Sequence, residues 1–60
     1  MNAAYELKVA EARAAQAQVH RLEAEASELL GNTTDAAMHR ALADDYEVLA
    51  TAYRRQAVAP

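Results

Sequence analysis

The chain has 60 residues, no cysteine and a formal net charge of -3 at pH 7. A chain of this length forms at most one small domain, which disulfide bonds cannot stabilise here, and such domains often depend on oligomerisation. The acidic balance disfavours general binding to nucleic acid and to anionic membrane surfaces. The apolar runs are too short to span a bilayer and the first residues do not resemble a secretory signal, so we predict a cytoplasmic protein.

The first predicted element is a helix over about residues 2–30. Residues that favour helix dominate this segment, and it contains neither glycine nor proline. Its apolar residues recur at alternating steps of about three and four, which is the spacing of a coiled-coil seam. This predicted apolar stripe comprises Met1, Tyr5, Ala12, Ala15, Val19, Leu22, Ala26 and Leu29. Lys8 falls on the same line, and we expect its stem to follow the stripe toward solvent. The residues predicted to lie on the opposite, solvated side are Glu6, Arg13, Arg21 and Glu28.

The only glycine, Gly31, marks the predicted turn over residues 31–34. Glycine adopts the left-handed conformation that the position after a helix end requires. Thr34 is the preferred N-cap of the next helix, with Thr33 as the second choice, and Asp35 then meets the positive end of the helix dipole. A connection this short makes the two helices antiparallel.

The second predicted helix covers about residues 35–57, and residues 58–60 are predicted to form a frayed tail. Its apolar stripe consists of Met38, Leu42, Leu49 and Tyr53, with Tyr46 and Ala52 beside it. The predicted contacts across the hairpin join Val19 to Tyr46, Leu22 to Leu42, Ala15 to Leu49 and Ala12 to Tyr53. In this arrangement, small side chains of the first helix mostly meet bulky ones of the second, as dense packing requires.

Both stripes are wider than one partner helix can cover. A lone hairpin would leave one side of its leucines in water, whereas two hairpins packed as a four-helix bundle would bury them. The sequence therefore predicts an all-α protein, in which residues 1–60 form a coiled-coil-like, two-helix antiparallel hairpin that dimerises into a four-helix bundle. The residues predicted to mediate self-association are Val19, Leu22, Leu29, Leu42, Leu49 and Tyr53.

The residues that could carry chemistry are scattered along the chain. Metal sites in helical bundles typically use Glu-x-x-His on one helix face, but the residues three before His20 and His39 are alanines. Glu23 follows His20 by three residues, and a single carboxylate does not complete a metal site, so we predict no metal and no cofactor. His39 is expected to be an exposed histidine near a helix start. No hydroxyl group has a base placed to activate it, and two helices form no deep pocket, so we predict no enzyme activity.

These features predict a small protein–protein interaction module, an adaptor, accessory or inhibitor protein that binds itself, as a homodimer or a higher oligomer, and another protein. The residues predicted to contact another protein are Tyr5, Val9 and Val48. An alternative is RNA binding, because a dimer of helical hairpins resembles, in topology only, the ROP type of small dimers that bind paired RNA loops. Its candidate contacts are Arg40, Arg54 and Arg55 on the second helix, although the acid excess disfavours nucleic acid as a partner. A further alternative is a structural assembly unit, natural or designed.

Overall fold

A computed structural model describes residues 2–59 of the chain as two antiparallel helices joined by a tight turn. Helix α1 spans Ala3–Leu29 and helix α2 spans Thr33–Val58. The Cα atoms extend over 47 × 13 × 10 Å, so the hairpin is a narrow rod. The predicted all-α hairpin is thereby confirmed. Met1 of the predicted stripe and Pro60 of the predicted tail lie outside the described residues, and Val58, which was assigned to that tail, belongs to α2.

Each helix begins after an asparagine. The side-chain oxygen of Asn2 accepts a hydrogen bond from the Tyr5 N–H at 3.1 Å, and that of Asn32 accepts one from the Asp35 N–H at 3.2 Å. Each asparagine thus satisfies one of the free N–H groups of a first helical turn. The prediction of Thr34 as the N-cap of the second helix is wrong, because Asn32 holds that role and the chain is already helical where Thr34 lies.

Gly31 ends α1 by reversing the chain. Its φ is 75°, its N–H donates to the Glu28 carbonyl at 2.9 Å, and the Asn32 N–H donates to the Ser27 carbonyl at 2.8 Å. These two bonds form a Schellman motif, which uses a left-handed residue to satisfy the last carbonyls of a helix. The predicted left-handed role of Gly31 is confirmed. Because Asn32 both completes this motif and caps α2, the turn is shorter than the predicted 31–34.

The two helices meet along alanines that recur every seven residues. This alanine seam consists of Ala10, Ala17 and Ala24 on α1 and Ala36, Ala43 and Ala50 on α2. Each of these alanines is at most 1% exposed, and no large side chain within residues 2–59 is fully buried. Side chains this small let two helix backbones approach closely, and the seven-residue spacing keeps each row on one face of its helix. The core of the hairpin is therefore thin and made of methyl groups.

The predicted apolar stripe of the first helix does not form this seam. Val19, Leu22 and Leu29 are 51%, 54% and 89% exposed, so α2 encloses none of them. Lys8 extends into solvent and pairs with Glu11 at 3.0 Å instead of following a seam. The prediction was wrong because two sets of residues in α1 share the coiled-coil spacing, and the hairpin uses the alanine set.

On α2 the predicted stripe is partly correct. Its half-buried members are Leu42, Tyr46 and Tyr53. Leu49 remains 44% exposed and Met38 50% exposed, so neither is enclosed by α1. The position of the helices along their axes is close to the prediction, because Tyr46 stacks on His20, the neighbour of its predicted partner Val19. The prediction was therefore close in the alignment of the two helices along their axes, but it was wrong about which face of α1 meets α2.

The predicted solvated side of α1 borders the seam instead. Glu6 is only 3% exposed, and its Oε2 has no hydrogen-bond partner among the described residues. Arg13 is half-buried, while Arg21 and Glu28 lie at the edge of the helix pair and form ion pairs with α2. All four lie near α2 because each is three or four residues from a seam alanine, which places it on the same face of α1.

Within residues 2–59, neither helix has the combination of length and apolar character that crossing a membrane requires.

Candidate functional site

The alanine seam divides the hairpin into two long sides of different chemistry. On one side, Arg21 Nη1 lies 3.4 Å from Glu47 Oε1, and Arg40 pairs with Glu28. Glu25 lines the same shallow groove, which runs between the two helices. We call this the charged side. Its cations are matched by carboxylates from the other helix, so it presents ion pairs and carries no excess of positive charge.

The opposite side holds two histidines in contact. The Nδ1 atoms of His20 and His39 are 3.0 Å apart, and the two ring centroids are 5.2 Å apart. The Tyr46 ring stacks on His20 with centroids 5.5 Å apart and an interplanar angle of 9°. Glu23 Oε2 lies 3.3 Å from His39 Nε2. We call these four residues the histidine cluster, and this side of the hairpin the histidine side.

The alanine seam is what brings the two histidines together. Each histidine follows one seam alanine by three residues and precedes the next by four. The histidines thus occupy equivalent positions beside the seam, and the close approach of the helices puts their rings in contact. The side chain of His39 is only 16% exposed, so the prediction of an exposed histidine is wrong. The helix contact buries it.

The histidine cluster offers two kinds of chemistry. As neutral imidazoles, His20 and His39 can share a hydrogen bond between their Nδ1 atoms, with one nitrogen donating and the other accepting. The same atoms can also act as metal ligands, because His20, Glu23 and His39 each offer a ligand atom and these three atoms lie within 4.8 Å of one another. The prediction of no metal cluster compared each histidine only with its own helix. Both histidines occupy the same position between alanines that repeat every seven residues, and this spacing could have predicted that the two rings meet across the hairpin.

The residues predicted to mediate self-association fall into two groups on the surface. The first group borders the histidine side and consists of Val19, Leu42, Leu49 and Tyr53. The second group lies on the outer surface of α1 and consists of Leu22 and Leu29. Both helices contribute to the first group, which together with Val9 we call the apolar face. This face is open along the histidine side, because α1 and α2 meet through the alanines beneath it.

The residues predicted to contact another protein are spread over more than one surface. Tyr5 is 62% exposed and Val48 is 68% exposed, whereas Val9 is half-buried. Tyr5 and Val9 lie on α1, and Val48 lines a shallow groove on the outer surface of α2. These three residues therefore do not form one patch on a single hairpin.

The arginines considered for RNA contact are also separated. Arg40 pairs with Glu28 on the charged side. Arg54 lines a groove with Leu7 near the start of α1, and Arg55 lines the groove on the outer surface of α2. The three cations thus border three different grooves, and one of them is paired with a carboxylate.

Comparisons of the chain with protein-family models, with curated proteins and with solved structures found no match. The fold defines the class as a two-helix antiparallel hairpin with an alanine seam. Its function is therefore inferred from two of its own features, the apolar face and the histidine cluster.

Proposed function

We propose that the protein is a small, non-enzymatic interaction module that works as a homodimer, in which two hairpins pack through their apolar faces into a four-helix bundle. The observation that carries this proposal is that small apolar side chains are buried between the helices while larger ones remain exposed. The alanines are buried, while Val19 and Leu49 are 51% and 44% exposed. A large apolar side chain contributes roughly 1.5–3 kcal/mol when fully buried, against about 0.8 kcal/mol for one methylene-sized group. A single hairpin therefore leaves most of its available apolar stabilisation unused.

The dimensions of the hairpin suit a second copy. The rod is 47 Å long. Two helices side by side, each roughly 10 Å across, present a face on the order of 900 Å². Stable protein interfaces bury about 800 Å² on each partner. A second hairpin laid along the whole face would reach that size, whereas a partner that covered one end would not.

The chemistry of the apolar face also favours self-association. In a two-fold dimer the same patch serves both copies, so the patch must be compatible with itself. The side chains of the apolar face carry no charge, and the ion pairs between the helices lie on the charged side, where a dimer of this kind leaves them in water. The ion pairs of the charged side are thus kept out of the contact, while Glu23, which lies 3.3 Å from His39 Nε2 on the histidine side, borders it.

The dimer would act in the cytoplasm by docking another protein, as an adaptor, accessory or inhibitor protein. Val48 is suited to this role because it is 68% exposed and lies away from the apolar face. An exposed helix surface of this kind binds by lying in an apolar groove of its partner. The protein has no catalytic role in this proposal.

The test of the dimer is the mass of the Leu49→Asp variant by sedimentation equilibrium, with helicity followed by circular dichroism. We expect the unmodified chain to sediment at twice its own mass and Leu49→Asp to sediment as a monomer, because a carboxylate would be forced into the apolar contact. Leu49 is already 44% exposed in a single hairpin, so the substitution removes little packing between α1 and α2.

The matched control is Val48→Asp, which introduces the same charge at the neighbouring position on the outer surface of α2. This variant should remain a dimer, and it should lose any second protein that the unmodified chain captures. A fully helical monomer of the unmodified chain in dilute solution would contradict the proposal. Equal loss of association in both variants would contradict the assignment of the apolar face.

A further inference from the structure

We propose that the histidine cluster binds a Zn²⁺ ion through His20 Nδ1 and His39 Nδ1. Zinc binds imidazole nitrogen at about 2.0–2.1 Å in tetrahedral geometry, which places two nitrogen ligands about 3.3 Å apart. The two Nδ1 atoms in the hairpin are 3.0 Å apart. The separation of the two nitrogens is thus already close to the edge of a zinc tetrahedron.

Glu23 acts in this site as a positioning residue. Its Oε2 lies 3.3 Å from His39 Nε2, the ring nitrogen that does not face His20. Histidines that bind metal usually donate their second N–H to a carboxylate, which fixes the tautomer and strengthens the ligand. With its proton on Nε2 and shared with Glu23, His39 presents the lone pair of Nδ1 toward His20.

The surroundings hold both rings in place before an ion arrives. Tyr46 stacks on His20 at an interplanar angle of 9°, and the side chain of His39 is only 16% exposed. The backbones on both sides are fixed by the alanine seam. When Zn²⁺ takes the two Nδ1 lone pairs, each neutral imidazole carries its proton on Nε2, so the step needs no other reactant. Two of the four positions of the ion remain for water.

Imidazole nitrogen is a ligand that suits zinc better than it suits magnesium or calcium, which prefer oxygen. The site also differs from the Glu-x-x-His pattern of helical bundles. Each helix supplies one histidine, and the carboxylate contacts the second nitrogen of a histidine ligand rather than the ion. An ion held in this way would tie α1 to α2 across the alanine seam. It would therefore stabilise the hairpin in addition to the alanine contacts.

The experiment is a calorimetric titration of the full chain with ZnCl₂, together with thermal unfolding with and without the ion. We expect one Zn²⁺ per chain and a higher unfolding temperature in its presence, since a ligand of the folded state stabilises it. His39→Gln and His20→Gln should lose both effects. Glu23→Gln should weaken binding about 10–100-fold while retaining the same stoichiometry.

The matched control is Glu25→Gln, which removes the same charge from an exposed residue on the charged side and should leave binding unchanged. Circular dichroism of each variant checks that it is folded. If a histidine variant unfolds, long-range ¹H–¹⁵N spectra of the unmodified chain supply the second measurement, and they should show Zn²⁺ moving the Nδ1 resonances of both rings. The proposal is overturned if the unmodified chain shows no binding, if binding survives both histidine variants, or if Glu25→Gln weakens it as much as Glu23→Gln does.

Discussion

Ala17→Leu tests the alanine seam most directly. Ala17 is 0% exposed at the middle of α1, so leucine would add three carbon atoms where the opposite helix leaves no free surface. Overpacking a well-packed contact costs about 1–3 kcal/mol. Leucine and alanine both favour helix, so little of this effect arises from the helix itself. We expect the free energy of unfolding to fall by about 1–3 kcal/mol.

The matched control is Ala15→Leu, which makes the same change at an exposed position on the outer surface of α1. Its effect on the free energy of unfolding should be within about 0.5 kcal/mol, as is usual for surface substitutions. Urea denaturation followed by circular dichroism measures both variants, and sedimentation at the same concentration shows whether association has changed. Ala17→Leu should also separate His20 from His39, one helical turn away, and so weaken Zn²⁺ binding.

The result that would refute this reasoning is a larger loss of stability in Ala15→Leu than in Ala17→Leu. It would place the row that contains Ala15 between the helices, as the apolar pattern of the sequence predicted. Small and equal effects would show that the helices do not approach closely at the alanines.

Three further substitutions are expected to change the urea midpoint in known directions. Gly31→Ala should lower the free energy of unfolding by about 1–2 kcal/mol, because φ is 75° and an added Cβ would meet no atom within 4 Å, which leaves backbone strain as the cause. Asn32→Ala should lower it by about 1 kcal/mol, since the Asp35 N–H loses its acceptor at 3.2 Å. Glu6→Leu should raise it by about 1–3 kcal/mol, because Oε2 is buried without a partner among the described residues.

Each of these substitutions has a control on the same chain. Gly31→Asn should lower stability less than Gly31→Ala, because asparagine tolerates the left-handed conformation better. Thr34→Ala should change stability by no more than about 0.5 kcal/mol, and a larger loss there than in Asn32→Ala would restore Thr34 as the N-cap. Glu25→Leu should be nearly neutral, since Glu25 is exposed. A loss of stability in Glu6→Leu would show that this carboxylate has a favourable interaction.

The features that the sequence predicted correctly are those decided by neighbouring residues. The two helices follow from residues that favour helix and from the confinement of the only glycine to the turn. Gly31 could be assigned a left-handed conformation because that preference belongs to the residue itself. The exact cap was less certain, because three consecutive polar residues can each accept a first-turn N–H, and the choice of Asn32 depended on how the turn closed.

The sequence alone thus determined that the chain forms two helices, where they are joined and roughly how they align. Only the tertiary structure decided which faces meet. The alanines of the seam and the row that contains Val19 and Leu22 satisfy the same coiled-coil spacing, so the pattern along one helix cannot choose between them. The choice between these two rows depends on how closely the backbones of both helices can pack. Because the alanines are chosen, Glu6 is buried and His20 contacts His39. The histidine cluster is therefore a product of packing between distant residues, and no single helix contains it.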